Sequence, residues 1–176
     1  MRTLLKLGCA LALVIPAIAG AHGPSRQKVV EQIEVAAAPD KVWALVADLC
    51  GVKTWNPAVR ECSADGGNEL NTKRVLTMQN GEPMNDQIVE YDPGNRTYSW
   101  MLLEANIKAM PINTLGATIA VTPGGAGSVV ELKGAFYRGF GGNQPPPELS
   151  DEAAIDAVTK MFQASLARIK ELAERP

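Results

Sequence analysis

Residues 150–175, SDEAAIDAVTKMFQASLARIKELAER, form a long stretch with a clear helical period. Its apolar side chains recur at steps of three and four residues: Ile155, Val158, Met161, Phe162, Leu166, Ile169, Leu172 and Ala173. This spacing predicts a helix with one apolar face, about 36 Å long at a rise of about 1.5 Å per residue. A face of that length needs a wide surface to cover it.

The ends of this stretch favour the same helix. The Ser150 hydroxyl can cap the first turn, and Asp151 and Glu152 place negative charge where the helix dipole is positive. The preceding prolines at 145–147 favour an extended lead-in rather than a helix or a central strand. The helix is therefore predicted to begin at Ser150.

The residues between 29 and 137 offer strands that can cover the helix. A first strand is predicted at 29–35, followed by one short helix from Pro39 and a second at 51–55. Six further strands are predicted at 59–64, 72–78, 84–92, 97–103, 113–122 and 128–137. Most of the intervening turns are short and rich in Gly, Asn and Pro, which favours antiparallel hairpins. The order predicts an α+β fold with its helices on one side of an antiparallel sheet.

The amino terminus has the pattern of an export signal. Arg2 and Lys6 precede an apolar run at 7–18, and small residues follow at 19–21. The run is too short to span a bilayer. We predict a signal peptide at 1–21, a flexible tail at 22–28, a domain at 29–176 and a periplasmic location; cleavage after Ala19 is an alternative to cleavage after Ala21.

Charge and cysteine content narrow the class of protein. Loss of Arg2 and Lys6 from 17 basic and 19 acidic residues would change the formal charge from −2 to −4. An acidic chain without a basic patch is not expected to bind nucleic acid. Cys50 and Cys62, with 11 residues between them, would form a disulfide worth about 3 kcal/mol in an oxidising compartment, or remain two buried thiols.

Four segments carry a family resemblance: APDKVWALVAD at 38–48, WNPAV at 55–59, TKRVLT at 72–77 and NDQIVEYD at 85–92. In this order the chain resembles the polyketide cyclase/dehydrase (SRPBCC) branch of the START-like, helix-grip superfamily. The resemblance implies a seven-stranded antiparallel sheet curled around the carboxy-terminal helix, with two short helices between strands 1 and 2. It also implies a cavity for a small apolar ligand between sheet and helix.

An exported single-domain chain of this size further resembles the MxaD-like branch, the periplasmic accessory proteins of bacterial methanol oxidation. That resemblance implies methanol dehydrogenase and its cytochrome c as partners. Two alternatives are a cyclase-like or hydratase-like enzyme that uses cavity carboxylates, and a periplasmic carrier of lipids or quinones.

The residues that could support catalysis are few. His22 is the one histidine of the chain and lies next to the predicted cleavage site, outside the predicted domain. It could chelate copper at a new amino terminus, but a chance histidine in a tail is the simpler interpretation. No Ser-His or Cys-His pair or metal-ligand spacing can be built in the domain. The sequence thus predicts no catalytic residue, no cofactor and no metal site, and favours a non-enzymatic protein.

Charged residues within strands are better candidates. If Leu76 and Met78 face inward, alternation brings Arg74 with them, and inward-facing Met84 brings Asp86 and Glu90. Arginine and carboxylate could then orient a polar group of the ligand or form a mutually satisfied ion pair. The predicted apolar lining is either a filled core or a cavity wall: Trp55, Met78, Met84, Tyr98, Trp100, Phe136, Met161 and Phe162.

Overall fold

The computed structural model describes residues 23–125 and 127–175, so the predicted signal peptide and His22 lie outside the described residues. Within the described part, seven strands and three α-helices follow in this order: β1 (Gln27–Val35), α1 (Pro39–Val46), α2 (Val52–Trp55), β2 (Val59–Ala64), β3 (Lys73–Met78), β4 (Pro83–Asp92), β5 (Thr97–Leu102), β6 (Ile112–Gly124), β7 (Gly127–Arg138) and α3 (Asp151–Ala173). Short 3-10 helices precede α2 and α3, at Leu49–Gly51 and Pro147–Leu149.

The strands form one antiparallel sheet in the order β1-β7-β6-β5-β4-β3-β2. From β2 to β7, each strand pairs with the next strand in the sequence, as short hairpin turns predict. The first strand pairs with the last, so α1 and α2 carry the chain from one edge of the sheet to the other. The predicted helix-grip fold is confirmed, including the two short helices between β1 and β2. Strand β1 begins at Gln27, so the last two residues of the predicted tail belong to the sheet.

Helix α3 begins as predicted. The Ser150 hydroxyl oxygen accepts a hydrogen bond from the Ala153 amide at 3.1 Å, which caps the first turn. The buried face comprises Ala154, Val158, Phe162, Ser165, Leu166, Ile169 and Ala173. Ile155 was expected on this face, but its side chain is 37% exposed. No helix within the described residues is long and apolar enough to cross a membrane.

The helix does not cover the sheet evenly. It packs mainly against β1 and β7, and it also contacts α1, α2 and the 3-10 helix that precedes it. Gly134 of β7 helps this close packing, because a Cβ at this position would come within 3.0 Å of the Phe162 ring. The half of the sheet formed by β3, β4 and β5 is therefore not packed directly against α3. Helix α2 lies near α3 on this side of the fold.

Candidate functional site

A cavity lies between α3 and the half of the sheet formed by β3, β4 and β5, and α2 contributes a further wall. Its volume is about 30 Å³. A buried water needs about 10–15 Å³ of such volume, so the cavity has room for roughly two waters. The interior space is therefore small in this conformation.

Most of the residues predicted to form the site surround this cavity. The predicted residues that line it are Trp55, Arg74, Met78, Met84, Asp86, Tyr98, Trp100, Met161 and Phe162. Sequence reasoning placed Leu76 on the inward face without counting it as a site residue, and it missed Val52, Asn56, Val59, Leu102, Leu115, Leu132 and Ser165. Some of these carried a signal, since Leu76 and Leu102 alternate by two with predicted residues. Ser165 lies on the apolar face of α3, where a polar side chain is unusual.

Arg74 and Asp86 form a buried ion pair at one end of the lining. They are direct cross-strand partners on β3 and β4. Arg74 Nε donates to Asp86 Oδ1 and Nη2 donates to Oδ2, each at 2.8 Å. Arg74 Nη1 donates to the Leu49 carbonyl, also at 2.8 Å. Side-chain exposure is 1% for the arginine and 3% for the aspartate, so the pair is shielded from water.

The two groups shift each other's ionisation. Burial raises the pKa of Asp86, and the hydrogen bonds and charge of Arg74 offset part of this rise. Burial lowers the pKa of Arg74, but Asp86 and, to a smaller extent, Tyr98 together more than compensate, so the arginine pKa lies above its ordinary value. Because both carboxylate oxygens are engaged, Asp86 serves as the arginine's counterion and has no oxygen free of Arg74.

The prediction that Glu90 faces inward with Asp86 is wrong. A β-bulge between Ile88 and Glu90 inserts one extra residue into β4, and Glu90 lies opposite Ser99. The inserted residue shifts the alternation of side chains. Glu90 is therefore exposed on the outer face of the sheet, where Oε2 accepts a hydrogen bond from the Ser99 hydroxyl at 2.8 Å. Tyr91 takes the inward position instead, and its ring stacks 6.3 Å from that of Tyr98.

Phe136 is the second predicted residue that does not line the cavity. Its side chain is fully buried, as the prediction of an apolar interior requires. It belongs to the part of the core where β7 pairs with β1 and β6, opposite Gln27 and Leu115. Its role is to fill the half of the fold that α3 covers directly.

Two buried donors in the lining have no hydrogen-bond acceptor. Trp55 Nε1 and the Tyr98 hydroxyl are both buried, and neither donates to a protein atom. Trp55 is 2% exposed and Tyr98 is fully buried. Burial raises the pKa of Tyr98 to about 12, although the nearby Arg74 guanidinium opposes this shift. The tyrosine therefore keeps its proton at neutral pH.

Methionines and aromatic rings form the rest of the site's distinctive surface. Met78, Met84 and Met161 come from β3, β4 and α3 and line the cavity from different sides. The Trp100 ring has the Arg74 guanidinium carbon 5.8 Å from its centroid, a cation–π distance. Methionine side chains are flexible and polarizable, so this lining can change shape at low cost.

A disulfide joins Cys50 to Cys62, with their Cα atoms 5.3 Å apart. Cys50 lies in the 3-10 helix that leads into α2, and Cys62 lies on β2. Leu49, next to Cys50, provides the carbonyl that Arg74 binds. The disulfide therefore fixes the segment that carries Trp55 against the edge of the sheet.

Arg138, at the end of β7, lies outside the cavity. Nη1 donates to Asp151 Oδ2 at 2.8 Å, and Nε and Nη2 donate to the carbonyls of Phe140 and Gly142 at 2.9 and 2.7 Å. The arginine is 5% exposed. It holds the turn between β7 and α3 to the first turn of the helix.

A family model described as polyketide cyclase / dehydrase and lipid transport matches residues 26–174. The chain belongs to this family. No curated protein matches the chain. Family membership agrees with the resemblance noted in the sequence and with the observed fold. It does not single out the MxaD-like branch.

Solved structures of similar fold include both a synthase and proteins of other kinds. The protein XoxI from Bacillus cereus aligns with a TM-score of 0.67 and 21% identity over 84% of this chain and 94% of that one. Norcoclaurine synthase from Thalictrum flavum, in complex with dopamine and hydroxybenzaldehyde, aligns with 0.64 and 17% over 100% and 99%. Major latex-like protein 151 from Panax ginseng aligns with 0.65 and 13% over 85% and 99%. At these identities the similarity establishes the fold alone.

In this member of the family, the cavity is thus mainly apolar. It contains one ion pair whose charges neutralise each other and two hydrogen-bond donors that have no acceptor. In the described residues, no group of three or more histidine, cysteine, aspartate or glutamate side chains is placed to hold a metal ion. The lining can donate hydrogen bonds through Trp55 and Tyr98 and can adapt through its methionines. Its one carboxylate is already bound.

Proposed function

We propose that this protein binds a small, neutral, largely apolar ligand in the cavity between α3 and strands β3 to β5, without catalysing its conversion. The observation that carries the proposal is the charge pattern of the lining. Arg74 and Asp86 are the charged residues among those that line the cavity, and each neutralises the other. A charged ligand would lose its hydration there without gaining a free countercharge, whereas a neutral one would not.

The ligand enlarges the cavity when it binds. A space of about 30 Å³ is too small for a six-membered ring. Three flexible methionines, Met78, Met84 and Met161, can move aside with little loss of packing energy. The norcoclaurine synthase of similar fold holds dopamine and hydroxybenzaldehyde, which supports a ligand of that small size.

Two other functions fit the site less well. A cyclase or hydratase would need a carboxylate free to take up a proton, but Asp86 is bound at both oxygens and Glu90 lies on the outer face. A carrier of long lipids or quinones would need the cavity to open much further than a small ligand requires.

We further propose that the protein serves periplasmic methanol oxidation as an accessory factor of the MxaD-like kind, with methanol dehydrogenase and its cytochrome c as partners. Support for export comes from the leader pattern at 1–21 and from the disulfide between Cys50 and Cys62. Disulfides are typical of secreted and periplasmic proteins and rare in the cytosol.

Ligand binding is tested with the neutral fluorophore 1-aminoanthracene, whose emission rises in an apolar environment. We expect the protein to bind it, and we expect Ser165→Leu to abolish binding because the larger side chain fills the cavity from α3. Ala164→Leu is the matched control, since Ala164 is the exposed neighbour on the same helix. Circular dichroism verifies that both variants fold.

Equal binding by a folded Ser165→Leu variant and by Ala164→Leu would place the fluorophore elsewhere and refute the proposed site. Ser165→Val, a smaller change, covers the case in which leucine prevents folding. The accessory role is tested separately, by surface plasmon resonance of the mature chain against methanol dehydrogenase and cytochrome c. Absence of binding to both partners, in a genome without a methanol dehydrogenase gene beside this one, would refute that role.

A further inference from the structure

Two hydrogen-bond donors in the cavity lining are buried without a partner. Trp55 Nε1 and the Tyr98 hydroxyl belong to residues on α2 and β5, which approach the cavity from different elements. A buried donor without an acceptor destabilises the folded state, so native proteins rarely retain one without a reason. Two such donors around one apolar cavity indicate that the cavity is made to receive an acceptor.

The surroundings of these donors restrict the kind of acceptor. Asp86, the carboxylate in the lining, has both oxygens bound by Arg74 and cannot serve the donors. Because this ion pair is already neutral, an anionic acceptor would gain no free countercharge. A neutral oxygen, such as a carbonyl or ether oxygen, satisfies both donors without that penalty.

The remaining lining favours an aromatic ligand. The rings of Trp100 and Phe162 line the same cavity as those of Trp55 and Tyr98. Tyr98 and Trp100 lie 5.6 Å apart between centroids in a tilted arrangement. Aromatic rings pack favourably in offset or edge-to-face geometry, so a ring is a better occupant than a flexible alkyl chain.

We propose that the ligand of this cavity is a small neutral aromatic compound with a carbonyl-type oxygen, to which Trp55 Nε1 and the Tyr98 hydroxyl donate hydrogen bonds. This inference rests on the proposed ligand-binding function and names the ligand class.

The test uses two probes of nearly identical shape, acetophenone and α-methylstyrene, which differ in a C=O or C=CH₂ group. Displacement of 1-aminoanthracene measures their affinities for the wild type, Tyr98→Phe, Trp55→Phe and Tyr91→Phe. Tyr91 is the matched control, because its hydroxyl already donates to the Ala47 carbonyl at 3.1 Å and it does not line the cavity. We expect acetophenone to lose about tenfold in affinity in Tyr98→Phe, with α-methylstyrene and Tyr91→Phe unaffected.

The possible outcomes separate this inference from the proposed function. An equal loss for both probes in Tyr98→Phe would mean that the tyrosine only packs, and an unchanged affinity for acetophenone in both donor variants would mean that the ligand oxygen does not accept from these donors. Either result overturns the inference. Displacement by neither probe, while 1-aminoanthracene still binds, overturns the ligand class and leaves the binding function intact. Failure of 1-aminoanthracene itself to bind overturns the proposed function.

Should Trp55→Phe fail to fold, Tyr98→Phe alone decides the matter. The two probes share each protein sample, so a change in the fraction of folded protein alters both affinities equally. A selective loss for the carbonyl probe therefore cannot arise from instability.

Discussion

Arg74 and Arg138 are both buried, each forms an ion pair at 2.8 Å with one aspartate, and yet they lie in different kinds of site. Arg74 binds Asp86 on the neighbouring strand with two parallel hydrogen bonds and lines the cavity. Arg138 binds Asp151 once and gives its other donors to two carbonyls of the following turn. The first arginine forms a wall, and the second holds a turn to a helix.

The groups left without partners beside the two arginines differ as well. In the cavity lining that includes Arg74 they are donors, Trp55 Nε1 and the Tyr98 hydroxyl. Near Arg138 the unpartnered atom is an acceptor, Asp151 Oδ1, in the first turn of α3, where the helix dipole stabilises negative charge. Burial of a charge thus does not identify a ligand site by itself. Spare donors beside an apolar space are the better indicator.

The largest expected effect follows from replacing Arg74 by methionine. Asp86 would remain buried without a partner, and breaking such a pair costs about 3–5 kcal/mol in the free energy of unfolding. The double variant Arg74→Met/Asp86→Leu should recover most of this loss, because apolar residues often replace a buried pair without penalty. Urea unfolding monitored by circular dichroism measures both. Equal destabilisation of the single and double variants would show that the two residues do not act as a unit.

A second prediction concerns the covalent link beside Arg74. Cys50→Ala/Cys62→Ala should lower the free energy of unfolding by about 3 kcal/mol, the entropy of the loop of 12 positions that the disulfide closes. The double alanine variant has no disulfide between these positions, so dithiothreitol should destabilise the wild type but not this variant. The Arg138 side has no such link within the described residues. An equal response of both proteins to dithiothreitol would contradict this difference.

The turn held by Arg138 should respond more weakly. Arg138→Met removes one ion pair and two hydrogen bonds, but the Asp151 side chain is 25% exposed and the helix dipole partly replaces the lost charge. We expect a loss of about 1–2 kcal/mol and unchanged affinity for 1-aminoanthracene. The same fluorescence titration of Arg74→Met should show weaker binding. If Arg138→Met weakens binding and Arg74→Met does not, the assignment of the two sites is wrong.

Local pattern predicted most of this architecture. The helical period of 150–175 and the Ser150 cap were sufficient for α3, and the short turns for the hairpin pairing of β2 to β7, because each depends on residues close in sequence. Alternation by two also brought Arg74 and Asp86 to one face. The same rule failed for Glu90, because the valine at position 89 gives no sequence signal for the β-bulge that moves Glu90 to the outer face.

The properties that define the site depend on packing between distant segments. Trp55 and Tyr98 are common buried residues by type, and only the three-dimensional arrangement shows that their donors lack partners. The cavity volume depends in the same way on how far α3 stands from β3 to β5. Spacing of Cys50 and Cys62 permits a disulfide, but the distance between their Cα atoms belongs to the fold.

The smallest expected effect compares Tyr98 with its neighbour Tyr91. Tyr91→Phe removes a hydrogen bond to the Ala47 carbonyl and should cost about 1 kcal/mol. Tyr98→Phe removes a buried hydroxyl that has no protein partner, so the free energy of unfolding should stay the same or rise by up to about 1 kcal/mol. Urea unfolding of the two variants under identical conditions measures the difference in sign.

This pair of variants also tests the contrast between the two arginines. Phenylalanine keeps each ring in place, so the measured difference isolates the two hydroxyls. If Tyr98→Phe costs as much as Tyr91→Phe, the Tyr98 hydroxyl is already satisfied inside the protein. The cavity beside Arg74 would then have no spare Tyr98 donor, just as each guanidinium nitrogen of Arg138 has an acceptor. Only their positions in the fold would distinguish the two arginines. A neutral or stabilising substitution would instead mean that this hydroxyl does not stabilise the folded protein without ligand, and that a ligand oxygen can provide the acceptor it lacks.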